Sequence, residues 1–135
     1  MKNRLLNLIG LSGLLVLSGC GEGFVENKQV TGRYHLIAVD VIEDLSLDYK
    51  LKTGDYIGVV PETIFAVGFN SDYIITKQHP GNNKEITNYF IVPIYDSLQH
   101  EMGVFGPFTQ KQFEAKTKEL NLDTLNFIAE IDKLK

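Results

Sequence analysis

The chain has a single cysteine, Cys20, and this limits how its fold can be stabilised. No disulfide can form within one molecule, so stability has to come from a hydrophobic core alone. Residues 20–135 amount to 116 residues. A chain of that length forms one domain that buries roughly 65% of its unfolded surface. We therefore expect one domain with one main core.

The residues before Cys20 have the order of a secretory signal peptide. Lys2 and Arg4 come first, and an apolar stretch over residues 5–17 follows. That stretch is shorter than the ~20 apolar residues that span a bilayer, so a permanent transmembrane helix is the weaker alternative. The sequence thus predicts that residues 1–19 are a signal peptide.

The segment Leu17-Ser18-Gly19-Cys20 resembles the lipobox of bacterial lipoproteins. The resemblance implies cleavage before Cys20 and attachment of a diacylglyceryl group to its thiol. Two or three acyl chains anchor a protein durably, whereas one chain gives only marginal binding. We expect a lipid-anchored protein on the extracytoplasmic side of the cell envelope. An ordinary buried cysteine is the alternative.

Charge argues against one class of partner. The chain has 13 basic and 17 acidic residues, and loss of Lys2 and Arg4 with the signal peptide leaves 11 basic ones. Since no stripe of Lys or Arg is present, nucleic acid is not an expected partner. The acidic balance also disfavours docking onto anionic lipid, so the membrane should be contacted through the anchor. An envelope protein is a second candidate partner, and the oligomeric state is left open.

The middle of the chain predicts antiparallel strands. The clearest is residues 45–51, where leucines and Tyr49 alternate with polar residues. Further strands are expected at residues 34–42, 56–60, 64–69, 73–77 and 89–95, with turns at residues 53–55 and 70–72. No connection is long enough for a crossover helix, so we expect a meander of about five to six strands.

The end of the chain changes to a helical pattern. Thr109 and Gln112 have the spacing of a capping box, and Phe108 and Phe113 have that of a hydrophobic staple. The helix should end near residue 119 or 120, and Asp123 is a plausible cap for a second one. With one or two C-terminal helices packed on one face of the sheet, the fold class is α+β. Residues 20–30 should be a flexible tether and residues 31–135 a single globular domain.

Candidate chemistry is sparse, and we expect no metal, no cofactor and no catalytic residue. The three histidines His35, His79 and His100 lack the spacing of zinc ligands. We expect His35 to be a packed or surface imidazole and His79 to belong to a turn. Ser71 lacks the nucleophile-elbow motif. Glu43, Asp44 and Asp48 are candidates for a carboxylate pair, but their closeness in a polar bend is more typical of a solvated face. The glycines within residues 103–107 indicate a turn before the helix and not a phosphate loop.

Aromatic residues lie on neighbouring predicted strands. Tyr73, Tyr89 and Tyr95 form a row, with Phe69 and Phe90 nearby. Such a row on an exposed sheet face binds sugars or proteins. Cross-strand packing under the helices explains the same row, and we favour packing because it is the commoner use of aromatic pairs.

The stretch from Val67 to Leu120 resembles a family of small bacterial lipoproteins described as a domain of unknown function. The resemblance rests on residues 67–75, residues 89–92 and the helix start Gly106-Pro107-Phe108-Thr109, where Phe108 replaces the more familiar leucine. It implies a lipobox, a strand-rich middle and this helix start. It brings no activity, cofactor or catalytic residue.

The sequence therefore predicts a lipid-anchored, non-catalytic binding or accessory module of the envelope. One alternative is an inhibitor or immunity lipoprotein that protects the envelope from a toxin or hydrolase. Another is a hydrolase whose site is assembled only in space.

Overall fold

The computed structural model describes residues 24–95 and 103–135. The predicted signal peptide (residues 1–19), the predicted lipid-bearing Cys20 and His100 lie outside the described residues.

Four consecutive strands form the first sheet: β1 (Glu26–Thr31), β2 (Tyr34–Ala38), β3 (Ser46–Lys50) and β4 (Tyr56–Val60), in the order β1-β2-β3-β4. All neighbours are antiparallel. The predicted alternation is confirmed in β3, where Leu47 and Tyr49 are buried and the residues between them are half-buried. The predicted turn at residues 53–55 joins β3 to β4, and its backbone closes through Leu51 and Asp55.

Five strands form the second sheet: β5 (Ile64–Phe69), β6 (Tyr73–Gln78), β7 (Asn88–Pro93), β8 (Phe105–Phe108) and the short β9 (Ala129–Glu130). Their order is β8-β7-β6-β5-β9, and every pair is antiparallel. The predicted turn at residues 70–72 is confirmed: Asn70 Oδ1 accepts hydrogen bonds from the amides of Asp72 and Tyr73, both at 2.8 Å. Short 3₁₀ turns lie at Ile42–Asp44, Pro80–Asn82 and Asp132–Leu134.

The predicted helix is confirmed as α1 (Gln110–Glu119). The Gln112 amide donates to Thr109 Oγ1 at 3.2 Å, and the Thr109 amide donates to Gln112 Oε1 at 2.9 Å. Phe113 is buried, and Phe108 packs in the same cluster. The capping box therefore fixes where the helix begins, and the apolar residues fix which side faces the sheet.

The two sheets pack face to face around the main core, which takes residues from β2 to β7 and Leu134. A second, smaller core lies between the second sheet and α1, around Ile75, Ile91, Phe113 and Leu122. The α+β class and the antiparallel meander are thus confirmed. The described strands divide between two sheets, however, because each sheet needs a partner for its apolar inner face.

A buried tyrosine links the two sheets. Tyr34 lies on β2 in the first sheet and is fully buried. Its hydroxyl donates to Pro93 O at 3.2 Å and accepts from the Tyr95 amide at 3.3 Å, both at the end of β7. Its ring packs edge-on against the ring of Tyr49, and the two ring centroids are 5.2 Å apart. Tyr34 is therefore held by both sheets.

The C-terminal segment differs from the expectation of a second helix at Asp123. The residues after α1 run instead along β5, where the amides of Ile128 and Ile131 donate to Val67 O (3.0 Å) and Phe65 O (2.8 Å). The open edge of β5 needs backbone partners, and this segment supplies them in place of helical hydrogen bonds. The described residues therefore contain one α-helix, and β9 completes the second sheet.

Two further segments form strands that the sequence did not predict. Residues Glu26–Thr31, most of them assigned to the tether, pair with β2 as β1. Residues Phe105–Phe108, within and just after the segment interpreted as a turn, pair with β7 as β8. A Cβ on Gly106 would lie 2.7 Å from Tyr89 O, so the glycine is needed for the close approach of β8 to β7.

Gly68 on β5 permits a close crossing by the chain after α1. A Cβ at this position would lie 2.1 Å from Asn126 O. We predict that Gly68→Ala lowers the free energy of unfolding by about 1–3 kcal/mol, since the added methyl forces the backbone apart. Urea denaturation measures this change.

Gly58→Ala is the matched control, because a Cβ on Gly58 has no atom within 4 Å. It should leave stability unchanged or raise it by less than about 1 kcal/mol, since alanine reduces the freedom of the unfolded chain. Equal effects of the two substitutions would contradict the proposed close crossing.

Candidate functional site

A cleft opens between the two sheets where the main core is left incomplete. Its floor consists of side chains that belong to that core, including the fully buried Leu45 and Ile64. The cavity has a volume of about 370 Å³. This lies near the lower end of the ~300–1,000 Å³ of small-molecule sites, which suits one alkyl chain or a small ring system. We call it the inter-sheet cleft.

The walls of the inter-sheet cleft are the outermost strands of the two sheets. On one side β1 contributes Glu26, Lys28 and Val30, and on the other the β9 region contributes Ala129 and Ile131. Glu26 and Lys28 lie opposite Ala38 and Leu36 of β2, whose side chains belong to the core. Two charged residues thus occupy inward-facing positions of β1 that a closed sandwich fills with large apolar side chains. Because these two side chains do not fill the space between the sheets as large apolar ones would, a cavity remains beside β1.

The rim of the inter-sheet cleft is polar apart from Ile128, which is 65% exposed. Glu130 is held there by an ion pair with Lys135, and its carboxylate lies 4.0 Å from Lys77 Nζ. The hydrogen bond from Lys135 lowers the pKa of Glu130. The arrangement of an apolar floor and a charged rim fits an apolar group with a polar end.

A second depression lies on the outer face of the first sheet. Its volume is larger, about 510 Å³. Its lining residues include Phe24, Asp48, Lys50 and Tyr56. Asn27 Nδ2 donates to Tyr56 Oη at 3.0 Å, and His35 Nδ1 donates to Asn27 Oδ1 at 3.0 Å. An amide oxygen can only accept, so His35 carries its hydrogen on Nδ1. The depression is an open surface that combines polar and aromatic side chains with Val39 and the buried Ile37.

Two titratable groups on this outer face are shifted toward their neutral forms. Burial raises the pKa of Asp48, and the hydroxyl of Ser46, which donates to Asp48 Oδ1 at 2.7 Å, partly offsets the shift. Burial lowers the pKa of His35, and the positive charge of Lys50 adds to the effect. His35 lies directly opposite Asp48 in the pairing of β2 with β3. The Asp48 carboxylate and the His35 imidazolium therefore each lower the stability of the fold relative to their neutral forms.

The described histidines have separate environments. His35 is half-buried on the outer face of the first sheet. His79 is only 4% exposed, stacks on Phe65 with ring centroids 4.1 Å apart, and donates from Nδ1 to Ile86 O at 2.8 Å. His79 does precede the 3₁₀ turn at Pro80–Asn82, but it is also a core residue. Within residues 24–95 and 103–135, no group of three or more potential metal ligands occurs.

The other candidate residues from the sequence do not meet in one place. Glu43 and Asp44 are exposed in the 3₁₀ turn at Ile42–Asp44, whereas Asp48 is half-buried on β3. Ser71 is exposed in the turn between β5 and β6. The described part of the chain also contains no helix long and apolar enough to cross a bilayer.

The aromatic row belongs to packing. Tyr73 and Tyr89 lie against α1, and the Tyr89 ring is 4.9 Å from that of Phe113. Phe69 and Phe90 pack on the opposite face of the second sheet, in the main core. Tyr73 and Tyr89 of the row thus share the α1 face, whereas the two neighbouring phenylalanines lie on the other.

Sequence reasoning missed both depressions. The inter-sheet cleft combines β1, β5 and β9, and neither β1 nor β9 was predicted as a strand. The one local signal was the pair of charges Glu26 and Lys28, two residues apart, which is the spacing of one face of a strand.

Comparison with known proteins gives one match. The family model described as "Protein of unknown function (DUF3997)" matches residues 31–132, which is more than half of the chain. No curated protein and no solved structure matches it. The family match includes β2 to β9 and α1, and it begins at the last residue of β1.

The raised pKa of Asp48 gives a pH-dependent prediction. Its folded-state pKa lies above the unfolded one, so stability falls as pH rises through this interval, and the cost is complete at neutral pH. Asp48→Asn keeps an acceptor for Ser46 and removes the charge. We expect thermal unfolding at pH 7 to shift upward by a few degrees. Near pH 3, where both states are protonated, the shift should vanish.

Asp55→Asn is the control for this substitution, because Asp55 lines the same depression and is exposed. Its unfolding temperature should match that of the parent protein at both pH values. A gain from Asp48→Asn that is the same at pH 3 and pH 7 would refute the explanation by burial of charge.

Proposed function

The chain belongs to the DUF3997 family of proteins of unknown function, and we propose that it is a lipid-anchored, non-catalytic binding module of the bacterial cell envelope. The bound group is an apolar chain or ring of a small molecule, and it enters the inter-sheet cleft. The volume and apolar floor of this cleft are the observation that carries the proposal.

The floor makes binding favourable for a physical reason. Partly exposed apolar side chains such as Val30, Phe69 and Ile131 face the cavity, and water inside it gains few hydrogen bonds from them. An apolar group that replaces this water recovers roughly 25 cal/mol for each Å² removed from solvent. The charged rim then orients the polar end outward.

The proposed anchor complements this site. Cys20 precedes Glu26 by six residues, which extend to at most about 20 Å. A lipid on Cys20 would thus hold the inter-sheet cleft within reach of the membrane surface, where amphiphilic molecules are concentrated. The support for the lipid is the resemblance of residues 17–20 to a lipobox.

An inhibitor or immunity role is the second candidate, and a specific surface favours it. Val25, Val39 and Val41 are about half exposed, and the Val25 amide bonds to Ala38 O, which brings Val25 beside Val39. Exposed apolar side chains that cluster are typical of protein interfaces. A hydrolase has less support, because His35 and Asp48 lie on an open face rather than in an enclosed pocket.

Filling the inter-sheet cleft should abolish binding. Ala129 lines the cavity on its β9 side, and Ala129→Phe places a ring in that space. We expect titration with dansyl-labelled undecanoic acid to give saturable fluorescence with the parent protein. The affinity of the variant should be at least about tenfold lower, since one steric block removes more than 1.4 kcal/mol of binding energy.

The matched control is Ile86→Phe, which adds a ring at an exposed residue outside the cleft lining. Its affinity should equal that of the parent protein, and circular dichroism should be unchanged in both variants. If the parent protein shows no saturable binding, or if Ala129→Phe binds equally well, the cleft is not the site.

The anchor has its own test. Cells that express the protein and are fed an alkyne-bearing fatty acid should label it, and Cys20→Ala should lose the label completely because no other thiol is present. Ser71→Ala, in an exposed turn, should be labelled like the parent protein. Label that persists in Cys20→Ala, or is missing from the parent protein, would exclude lipidation at Cys20.

A further inference from the structure

β1 is an outer strand with one free side. It pairs with β2 on one side, and no strand of the described residues covers the other. Free strand edges present backbone amides and carbonyls that readily pair with another strand. With six residues, β1 is long enough to form a ladder.

The charges on β1 indicate which kind of strand its free side could bind. Glu26 and Lys28 project from the same face, two residues apart. Neither forms an ion pair within residues 24–95 and 103–135, whereas Glu130 across the inter-sheet cleft is paired with Lys135. Each is a charge at the edge of a sheet for which the described part of the chain supplies no ion-pair partner.

We propose that β1 pairs antiparallel with β1 of a second copy, with the two-fold axis passing at Asn27. In this register Glu26 lies opposite Lys28 of the partner subunit, and Lys28 lies opposite Glu26 of the partner subunit. Opposite charges that face each other directly across an antiparallel pair stabilise it. The interface is isologous, as expected for a closed dimer.

The register follows from the alternation of the strand. A continuous sheet requires inward-facing residues to meet inward-facing residues, so the axis must pass through a residue and not between two. An axis at Glu26 places two carboxylates opposite each other, and an axis at Lys28 places two ammonium groups opposite each other. Among these three positions, an axis at Asn27 alone gives attraction.

Pairing in this register joins the two first sheets into one sheet of eight strands. It also places the two inter-sheet clefts on either side of the junction, because β1 lines each of them. Charges on edge strands serve in other proteins to prevent pairing. Such a charge prevents pairing when it is buried without a partner, whereas in this register each charge of β1 lies opposite a charge of the other sign.

Cysteine cross-linking tests the register in membranes of cells that express the full chain. Cα atoms of directly opposite residues lie about 4.5–5.5 Å apart, within the range of a disulfide. Asn27→Cys should therefore give a covalent dimer under mild oxidation. Gln29→Cys is offset from its own copy by four residues, about 13 Å along the strand, and should not. The parent protein, whose one cysteine is Cys20, is the control for any covalent dimer formed through that residue.

Charge exchange in the Asn27→Cys background tests the attraction. Glu26→Lys replaces both ion pairs with repulsion and should reduce the dimer yield roughly tenfold, and adding Lys28→Glu should restore it to within about twofold. Equal yields from Asn27→Cys and Gln29→Cys, no dimer from either, or a yield unaffected by Glu26→Lys would each overturn the proposal.

Discussion

The packing of the two sheets on each other is the constraint from which the rest of this structure follows. Tyr34 shows how closely the sheets are matched, because its hydroxyl satisfies two backbone groups at the end of β7 from within the first sheet. A buried hydroxyl that lacks hydrogen bonds costs free energy, and Tyr34 avoids this cost by making two. The relative position of the sheets is thus set by polar geometry as well as by apolar burial.

The inter-sheet cleft is the place where this packing stops. β2 and β5 supply large apolar side chains to the core, but β1 offers Glu26 and Lys28 at the corresponding positions. Charged groups are costly to bury without partners, so β1 cannot close onto the second sheet there. The same two residues thus explain why the cavity lies beside β1.

Local signals in the sequence sufficed for much of the fold. The alternation in β3, the Asn70 turn and the Thr109 capping box each depend on residues close in sequence, and each is found as predicted. β1 and β9 are different, because polar residues such as Asn27 and Glu130 give no strand pattern. They become strands by pairing with β2 and β5, which is a tertiary effect. The Asp123 segment likewise follows the edge of β5 and not its helical pattern.

The candidate site was less accessible to sequence reasoning, for the same reason. Its walls come from β1, β5 and β9, which are distant in sequence, and two of these strands were not predicted. The aromatic row was visible in the sequence, yet only the sheet geometry shows that Tyr89 faces α1 and Phe90 faces the main core. Adjacent residues on a strand face opposite sides, so Tyr89 and Phe90 cannot share a face.

β1 is also the strand through which the preceding residues are joined to the domain, and this gives the cleft a mechanical property. β2 holds β1 along one side only, so tension applied to the chain before Glu26 acts first as a peeling force on β1. Because β1 is a wall of the inter-sheet cleft, such a force would change the width of its mouth before it disturbed the core around Tyr34. Tension on the chain before Glu26 and the width of the cleft are thereby coupled through one strand.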